Sequence, residues 1–374
     1  MSVYLLPAVR DWAEWGALFT DARRWRPAIA RLWAAELSLA ARTGVASVGR
    51  VVAGFPGTCA VFILDETAVI KFFPPMVASD FIREREVYRL LAGRVPEMPR
   101  LLADGVLRDR IDWPYLVTSC CPGRDWREAR ADMPVAEQLA VARTLGERIS
   151  RVHRTTIPPN DAWPRFVAAR LAGVSPALRT VLPEAVAAAA EALLRGTDWF
   201  AGWPSLLHAD LTEDHALVEC RAGRWALSGL LDWADAEVGD PLYEWVALYF
   251  GFCGRDVALF RAFLAGYDPA ASLPTRRQLL AYTLLHRFGL SIIAAVLGDE
   301  ERRDLRGIDE LAGRLFPGRA ATRTGCIPGG AYAWRQPAGI RGSDPHGGPA
   351  DPYPGRFHGY PGREYRQRRP AQDD

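Results

Sequence analysis

Lysine is almost missing from this chain. Of 46 Lys and Arg side chains in 374 residues, only Lys71 is a lysine. Arginine bias of this kind follows from a GC-rich coding sequence. A single retained lysine points to a position where a compact ammonium is needed and a planar guanidinium will not serve. Cysteine is also scarce, with six residues and no C-x-x-C pair. That is too few for a disulfide framework, so a reduced, cytoplasmic setting is expected. No apolar run reaches the ~18 residues of a membrane span. The start lacks a basic stretch followed by an apolar one, and Asp11 and Glu14 come early, so no leader and no membrane partner are expected. A net charge of +2 excludes strong attraction to nucleic acid or an acidic surface. There is no internal repeat, and the sequence sets no oligomeric state.

What is present is an ordinary globular composition, 49% hydrophobic and 24% charged. The length suggests two lobes. Residues 1–44 read as helices: Trp12, Trp15, Leu18 and Phe19, then Ile29, Leu32, Trp33 and Leu37 after Pro27, which suits a first helical turn. From Ser47 to Phe73 the period changes to strands. Three apolar runs are separated by Gly54-Phe55-Pro56-Gly57-Thr58 and by Asp65-Glu66-Thr67, and Lys71 lies on the third. Ala78–Leu91 reads as a helix on which Glu84 shares a face with Tyr88 and Leu91, while Glu86 points elsewhere. Pro114–Thr118 is a buried strand running into Ser119, Cys120 and Cys121. After Pro134, an amphipathic helix runs to His153, where a structural role is expected. Helices follow over Val174–Leu194, Leu242–Tyr267 (which carries Glu244), Thr275–Leu297 (with His286 mid-helix) and Asp299–Phe316. From Gly318 the chain holds eleven Gly and eight Pro in 57 residues, a disorder signature with a basic Arg366–Arg369 run.

The informative stretch is Leu206–Trp245. Asp210 follows His208 by two residues, His215 comes five later, and Asp232 twenty-two after Asp210. Between them, Ala216–Cys220 and Trp225–Leu231 read as a hairpin around Arg221-Ala222-Gly223-Arg224. The hairpin returns the second carboxylate to the end where the first one sits. Such a pair suits phosphoryl transfer: one carboxylate orients the attacking hydroxyl, and the other holds a metal bridging the phosphates.

The combination His208-Ala209-Asp210, Asp232-Trp233 and Gly239-Asp240-Pro241 resembles the aminoglycoside phosphotransferase and choline kinase family, small-molecule relatives of protein kinases. The resemblance covers roughly residues 45 to 316. It implies an α+β, bilobal, protein-kinase-like fold. Helices 1–44 would pack on a small antiparallel-sheet lobe (45–118), followed by a mainly helical lobe (119–316) and a disordered tail (317–374). It implies transfer of the γ-phosphoryl of ATP, with GTP the other candidate, to a hydroxyl of a small molecule: aminoglycoside-like, amino alcohol or sugar. Lys71 would position the phosphates and Glu84 would hold Lys71. Backbone at Gly54 and Gly57 would approach the nucleotide, and Ser119 and Cys121 would meet the base through main-chain groups. Asp210 would be the catalytic base, Asp232 the Mg²⁺ ligand, and Asp240 a structural brace for the catalytic loop.

His215 departs from the pattern, which has Asn there. Several arrangements fit the sequence. His215 binds metal through nitrogen, favouring Mn²⁺; or Asp214 rotates in with oxygen; or Asp232 holds a single metal while His215 meets phosphate; or activity has decayed. Retention of Lys71, Glu84, Asp210 and Asp232 together favours activity. The alternative is a nucleotide-binding pseudokinase acting as a sensor or interaction module. Asp235, Glu237 and Glu244 near the site are candidates for attracting a cationic acceptor.

Overall fold

The computed structural model describes residues 4–317, apart from 56, 159 and 201–203. The expected tail, with its Arg366–Arg369 run, lies outside the described residues. The architecture is α+β and two-lobed, as expected.

The first lobe opens with α1 (Trp12–Gly16), α2 (Ala22–Ala35) and α3 (Leu37–Thr43). These are followed by β1 (Val51–Ala53), β2 (Ala60–Leu64), β3 (Ala68–Phe72), α4 (Ala78–Leu90), β4 (Leu101–Arg108) and β5 (Asp112–Ser119). Five strands form one antiparallel sheet in the order β1-β2-β3-β5-β4. Alternation along each strand splits this sheet into two faces. Phe62, Ile70, Phe72, Trp113, Tyr115 and Val117 join a core with the N-terminal helices. Val61, Val69, Lys71, Leu116 and Thr118 face the opposite way, into the interlobe cleft. The period of two therefore aims Lys71 at the cleft.

The helices on the first face are held by aromatic packing. Trp25 stacks on Phe72 with centroids 4.5 Å apart and meets Trp113 edge-on at 5.2 Å; Trp15 stacks on Trp113 at 5.7 Å. Pro27 does not open a helix. Asp21 caps α2, accepting from the Arg23 and Arg24 amides, so Pro27 falls mid-helix. It sits on the exposed side, where water can meet the carbonyl that it leaves unpaired.

The second lobe begins with β6 (Arg124–Asp125), α5 (Trp126–Ala129), α6 (Val135–His153), α7 (Ala162–Val181) and α8 (Glu184–Arg195). It continues with β7 (Ser205–Leu207), β8 (Ala216–Arg221), β9 (Arg224–Leu230), β10 (Glu237–Gly239) and α9 (Pro241–Ala247). The last elements are α10 (Val257–Tyr267), α11 (Arg276–Leu285), α12 (Gly289–Val296), α13 (Asp299–Arg303) and α14 (Ile308–Leu315). The expected hairpin is β8–β9, closed by Ala222 and Gly223, both at positive φ.

Several expected helices are broken. The helix expected from Val174 starts at Ala162 and is split from α8 at Leu182-Pro183, where Leu182 takes the extended backbone favoured before proline. A π-turn over Leu248–Phe252 ends α9, and Gly254 and Arg255 at positive φ separate it from α10. The segment 299–316 divides at Leu305–Gly307. The helix expected over Thr275–Leu297 bends by 118° between α11 and α12. His286 is therefore not mid-helix but the extended cap of α11; it is buried, stacked on Tyr243, and accepts the Phe288 amide at Nδ1. Among the described residues no single helix is long and apolar enough to cross a membrane.

Helices α6 and α10 touch backbone to backbone. A Cβ at Gly146 would lie 2.0 Å from the Phe263 carbonyl oxygen, and one at Gly266 would lie 2.0 Å from that of Arg143. Gly146→Ala must push the helices apart, at a cost of about 1–3 kcal/mol. The check is the thermal midpoint; an unchanged midpoint would show that this contact is not tight.

Candidate active site

Lys71, on the central strand β3, reaches across the cleft. Its Nζ donates to Asp232 Oδ1 at 2.8 Å and pairs with Glu84 Oε2 of α4, also at 2.8 Å. Glu84 is buried, whereas Glu86 lies outside and pairs with Arg85 and Arg89. Burial pushes the Glu84 carboxyl up to about 7. Burial also opposes the charge on Asp232, but Lys71 and then His215 outweigh it and hold that carboxyl well below the usual range. The two acids clamp the ammonium so that Lys71 stays charged despite its own burial.

Strand β7 leads into His208-Ala209-Asp210. His208 is fully buried, and its Nε2 bonds to the Leu231 carbonyl at 2.8 Å, one residue before Asp232. Burial keeps this imidazole below its ordinary pKa. That bond ties the loop to the strand end carrying the second carboxylate. Both Ala209 (φ 64°) and Asp232 (φ 59°) are in the left-handed region, a costly conformation for a non-glycine residue that persists only where neighbours impose it. At Ala209 the neighbour is Glu244, whose Oε2 accepts the Ala209 amide at 3.0 Å.

His215 lies between the two carboxylates. Its Nδ1 is 2.6 Å from the Asp210 carbonyl oxygen and 3.6 Å from Asp210 Oδ2, and its Nε2 is 3.8 Å from Asp232 Oδ2. Burial pushes the Asp210 carboxyl up to about 7, against the opposing pull of His215. Burial disfavours the imidazolium, but Asp210 and Asp232 together outweigh it and raise His215. Asp214 is held by Arg127 at 2.7 Å, and Arg127 also takes Glu213, so Asp214 is already engaged by a guanidinium.

Other expectations need correction. The Gly54 amide is spent on the Val61 carbonyl at 2.8 Å, while Gly57 stands in open space. The Ser119 amide bonds to the Arg100 carbonyl and its hydroxyl accepts the Arg100 amide, both at 2.9 Å, and the Cys120 amide goes to Thr67. Only the Cys121 amide in this segment has no partner among the described residues. Asp240 caps α9 through the Leu242 amide and accepts the Tyr282 hydroxyl at 2.8 Å; the brace beneath the catalytic loop is Glu244 instead. Glu244 is completely buried, and Asp235 and Glu237 both pair with Arg287, so these three acids are not free to draw in a cation. At the end of α6, His153 Nδ1 bonds to the Tyr267 hydroxyl at 3.0 Å and its Nε2 lies 3.9 Å from Glu244.

Two positions, Arg287 and Arg83, went unread as site residues in the sequence, and Glu244 was read there only as a candidate for attracting a cationic acceptor. Glu244 is an acid inside the apolar run Leu242–Phe252, which is the signal that could have marked it as paired. Arg287 is carried into the cleft by the break after α11. Arg83 of α4 crosses between lobes and donates to the Ala234 carbonyl at 2.6 Å. The enclosing cleft measures about 1210 Å³ and runs from Cys121 past Lys71 and Asp232 to Arg287 and Phe288.

A family profile described as the phosphotransferase enzyme family matches residues 58–282. The chain belongs to that family. It is accordingly a small-molecule kinase, a phosphotransferase acting on hydroxyls. The fold is shared with the GDP complex of aminoglycoside 2'-phosphotransferase-IIIa, at 18% identity, TM-score 0.54, and coverage of 75% of this chain and 95% of that one. It is also shared with the GDP and kanamycin complex of APH(2")-IIIa, at 17% identity, TM-score 0.53, and coverage of 76% and 97%.

Within this phosphotransferase, Glu244 makes a direct test of loop positioning. Glu244→Ala leaves a buried amide without its acceptor, a loss of about 1–3 kcal/mol. It should also lower kcat more than it raises the nucleotide KM. Glu244→Gln keeps an acceptor oxygen and should recover most of both. Full turnover in the alanine variant would remove Glu244 from this role.

Proposed function

We propose that this phosphotransferase moves the γ-phosphoryl group of ATP, or of GTP, to a hydroxyl of a small molecule. The lobe of residues 45–118 would hold the nucleotide, and that of 119–316 the acceptor and the catalytic loop. The observation carrying this reading is the continuous row Glu84–Lys71–Asp232–His215–Asp210, which joins both lobes with no gap beyond 3.8 Å.

In this reading Lys71 holds the phosphates and Glu84 fixes Lys71. The Cys121 amide meets the base, and Gly57 leaves room for main chain near the phosphates. Asp210 accepts a hydrogen bond from the acceptor hydroxyl and takes its proton as the oxygen–phosphorus bond forms and the β–γ bridging bond breaks. Asp232, which lines the cleft, suits a divalent cation: Oδ1 is engaged by Lys71 and the Ala234 amide, while Oδ2 has His215 Nε2 3.8 Å away. Mg²⁺ or Mn²⁺ there supplies neutralisation of phosphate charge. The kanamycin complex of the relative supports including aminoglycosides, with amino alcohols and sugars, in the acceptor panel.

The test is release of nucleoside diphosphate from ATP and from GTP with pooled acceptors, under Mg²⁺ and then Mn²⁺. Acceptor-dependent release is expected. Nucleotide binding with no release for any acceptor class would overturn the reading.

A further inference from the structure

The bend after α11 leaves the Leu285 and His286 carbonyls at the negative end of that helix. Arg170 of α7 reaches them. Its Nε donates to the Leu285 carbonyl and its Nη2 to the His286 carbonyl, both at 2.9 Å. A guanidinium carries five hydrogens in a planar fork. The two carbonyls take its side edge, Nε with Nη2. The end edge, Nη1 with the second Nη2 hydrogen, has no acceptor among the described residues. Arg170 is partly buried and lines the cleft.

Nor does a carboxylate balance its charge. Among the described residues none forms an ion pair with Arg170, and beyond burial the groups acting on it are the Tyr243 hydroxyl and the Arg287 guanidinium. The acids at this end of the cleft are engaged elsewhere: Asp235 and Glu237 share Arg287, and Asp80 pairs with Arg83 at 3.2 Å. A charge drawn out of water is normally paired, so the free edge of Arg170 suits an anion that arrives from outside the chain. Its place fits the acceptor. Burial, His215, Asp235 and Asp232 act most strongly on the Asp210 carboxyl, and Arg287 follows. Arg287 thus stands within electrostatic reach of both Arg170 and the base. Phe166, one turn before Arg170 on α7, and Phe288, next to Arg287, give the same end apolar walls.

We propose that the acceptor is a hydroxy acid, and that the end edge of Arg170 holds its carboxylate in a two-pronged contact while its hydroxyl meets Asp210. The inference rests on the reading of Asp210 as the base of a phosphotransferase. A planar fork matches a carboxylate in a way that a point charge does not. The same guanidinium, with Arg287 beside it, opposes a polycationic acceptor, so this end of the cleft rejects as well as binds. Arg170 is then a specificity-determining residue, set in place by the bend after α11.

The experiment follows nucleoside diphosphate release by the full chain with three sets of acceptors, each tested singly: gluconate, glucuronate and glycerate; sorbitol, glucose and glycerol; glucosamine, ethanolamine and kanamycin. The acids should show kcat/KM about tenfold to a hundredfold above their neutral counterparts, the range of a charge-assisted hydrogen bond. In Arg170→Gln that advantage should disappear, through a raised KM for the acids and not a lowered kcat. A purely structural Arg170 would instead lower turnover of all three sets together. Arg170→Lys, which keeps the charge and loses the fork, should give the same result in smaller measure. Best turnover with the neutral or the amine set would overturn the inference and leave the phosphotransferase reading standing. An acid preference that survives in both variants would also overturn it. Nucleotide binding with no release from any set would overturn both. The wild-type ranking decides the acceptor class even if neither variant folds.

Discussion

Asp210→Asn lowers kcat by about 10²–10⁴-fold, the usual contribution of a positioned base, with nucleotide affinity close to wild type. The substitution is nearly isosteric, so loop geometry is kept: His208 still bonds to the Leu231 carbonyl and Ala209 still donates to Glu244. What is lost is the capacity to take a proton from the acceptor. Steady-state kinetics and nucleotide titration separate the two effects. A parallel loss of affinity would place Asp210 on the nucleotide instead. The pH profile adds an independent check. Burial holds the Asp210 carboxyl at about 7, and the base must be ionised to work, so activity is present above that region and lost as pH falls through it. His215 is the largest charge opposing this rise. His215→Asn should therefore move the acid limb to higher pH. The limb belongs to the interacting pair and not to Asp210 alone.

Trp25→Ala removes about 3–5 kcal/mol of stability, in the range for deleting a large buried aromatic. Trp25 is completely buried where three parts of the first lobe converge: α2, β3 through Phe72, and the β4–β5 pair through Trp113. Its indole nitrogen also donates to the Leu18 carbonyl at 3.0 Å, so truncation leaves a void and removes one of the two bonds that this carbonyl accepts, the other coming from the Asp21 amide. The N-terminal helices are thus the outer half of the lobe's core and not an appendage. The measurement is chemical or thermal denaturation followed by near-ultraviolet circular dichroism, which reports the indole cluster. A loss below about 1 kcal/mol, the level of a mild surface change, would show that the helices dock loosely.

Much of the site was legible because its parts lie close in sequence. His208, Asp210, His215 and Asp232 fall within one loop and one hairpin, whose strand pattern and turn returned the two carboxylates to one end. Lys71 was legible from composition and from its place on the third apolar run. The helix breaks were not legible. Apolar periodicity runs unbroken through Leu284, Leu285 and Phe288, and nothing in it reports that Gly289 packs where a Cβ would lie 1.7 Å from the Thr283 carbonyl oxygen. Missing that break hid Arg287, whose partners Asp235 and Glu237 are about fifty residues away along the chain. The acids near the site therefore read as available charge, when the fold pairs two of them and buries the third. The loop brace expected at Asp240 falls to Glu244 for a similar reason: Asp240 belongs to the Gly-Asp-Pro turn and Glu244 follows it by four residues, and only the packing of α9 decides which carboxylate reaches the loop.

The single lysine makes this chain its own opening gauge. A protease that cuts only after lysine has one bond to attack, Lys71–Phe72, in the middle strand of a five-stranded sheet. Cleavage there needs that strand to leave the sheet, with Lys71 released from both carboxylates. The appearance of just two fragments, 1–71 and 72–374, then times the opening of the small lobe, free of the background cuts that exposed lysines give in other proteins.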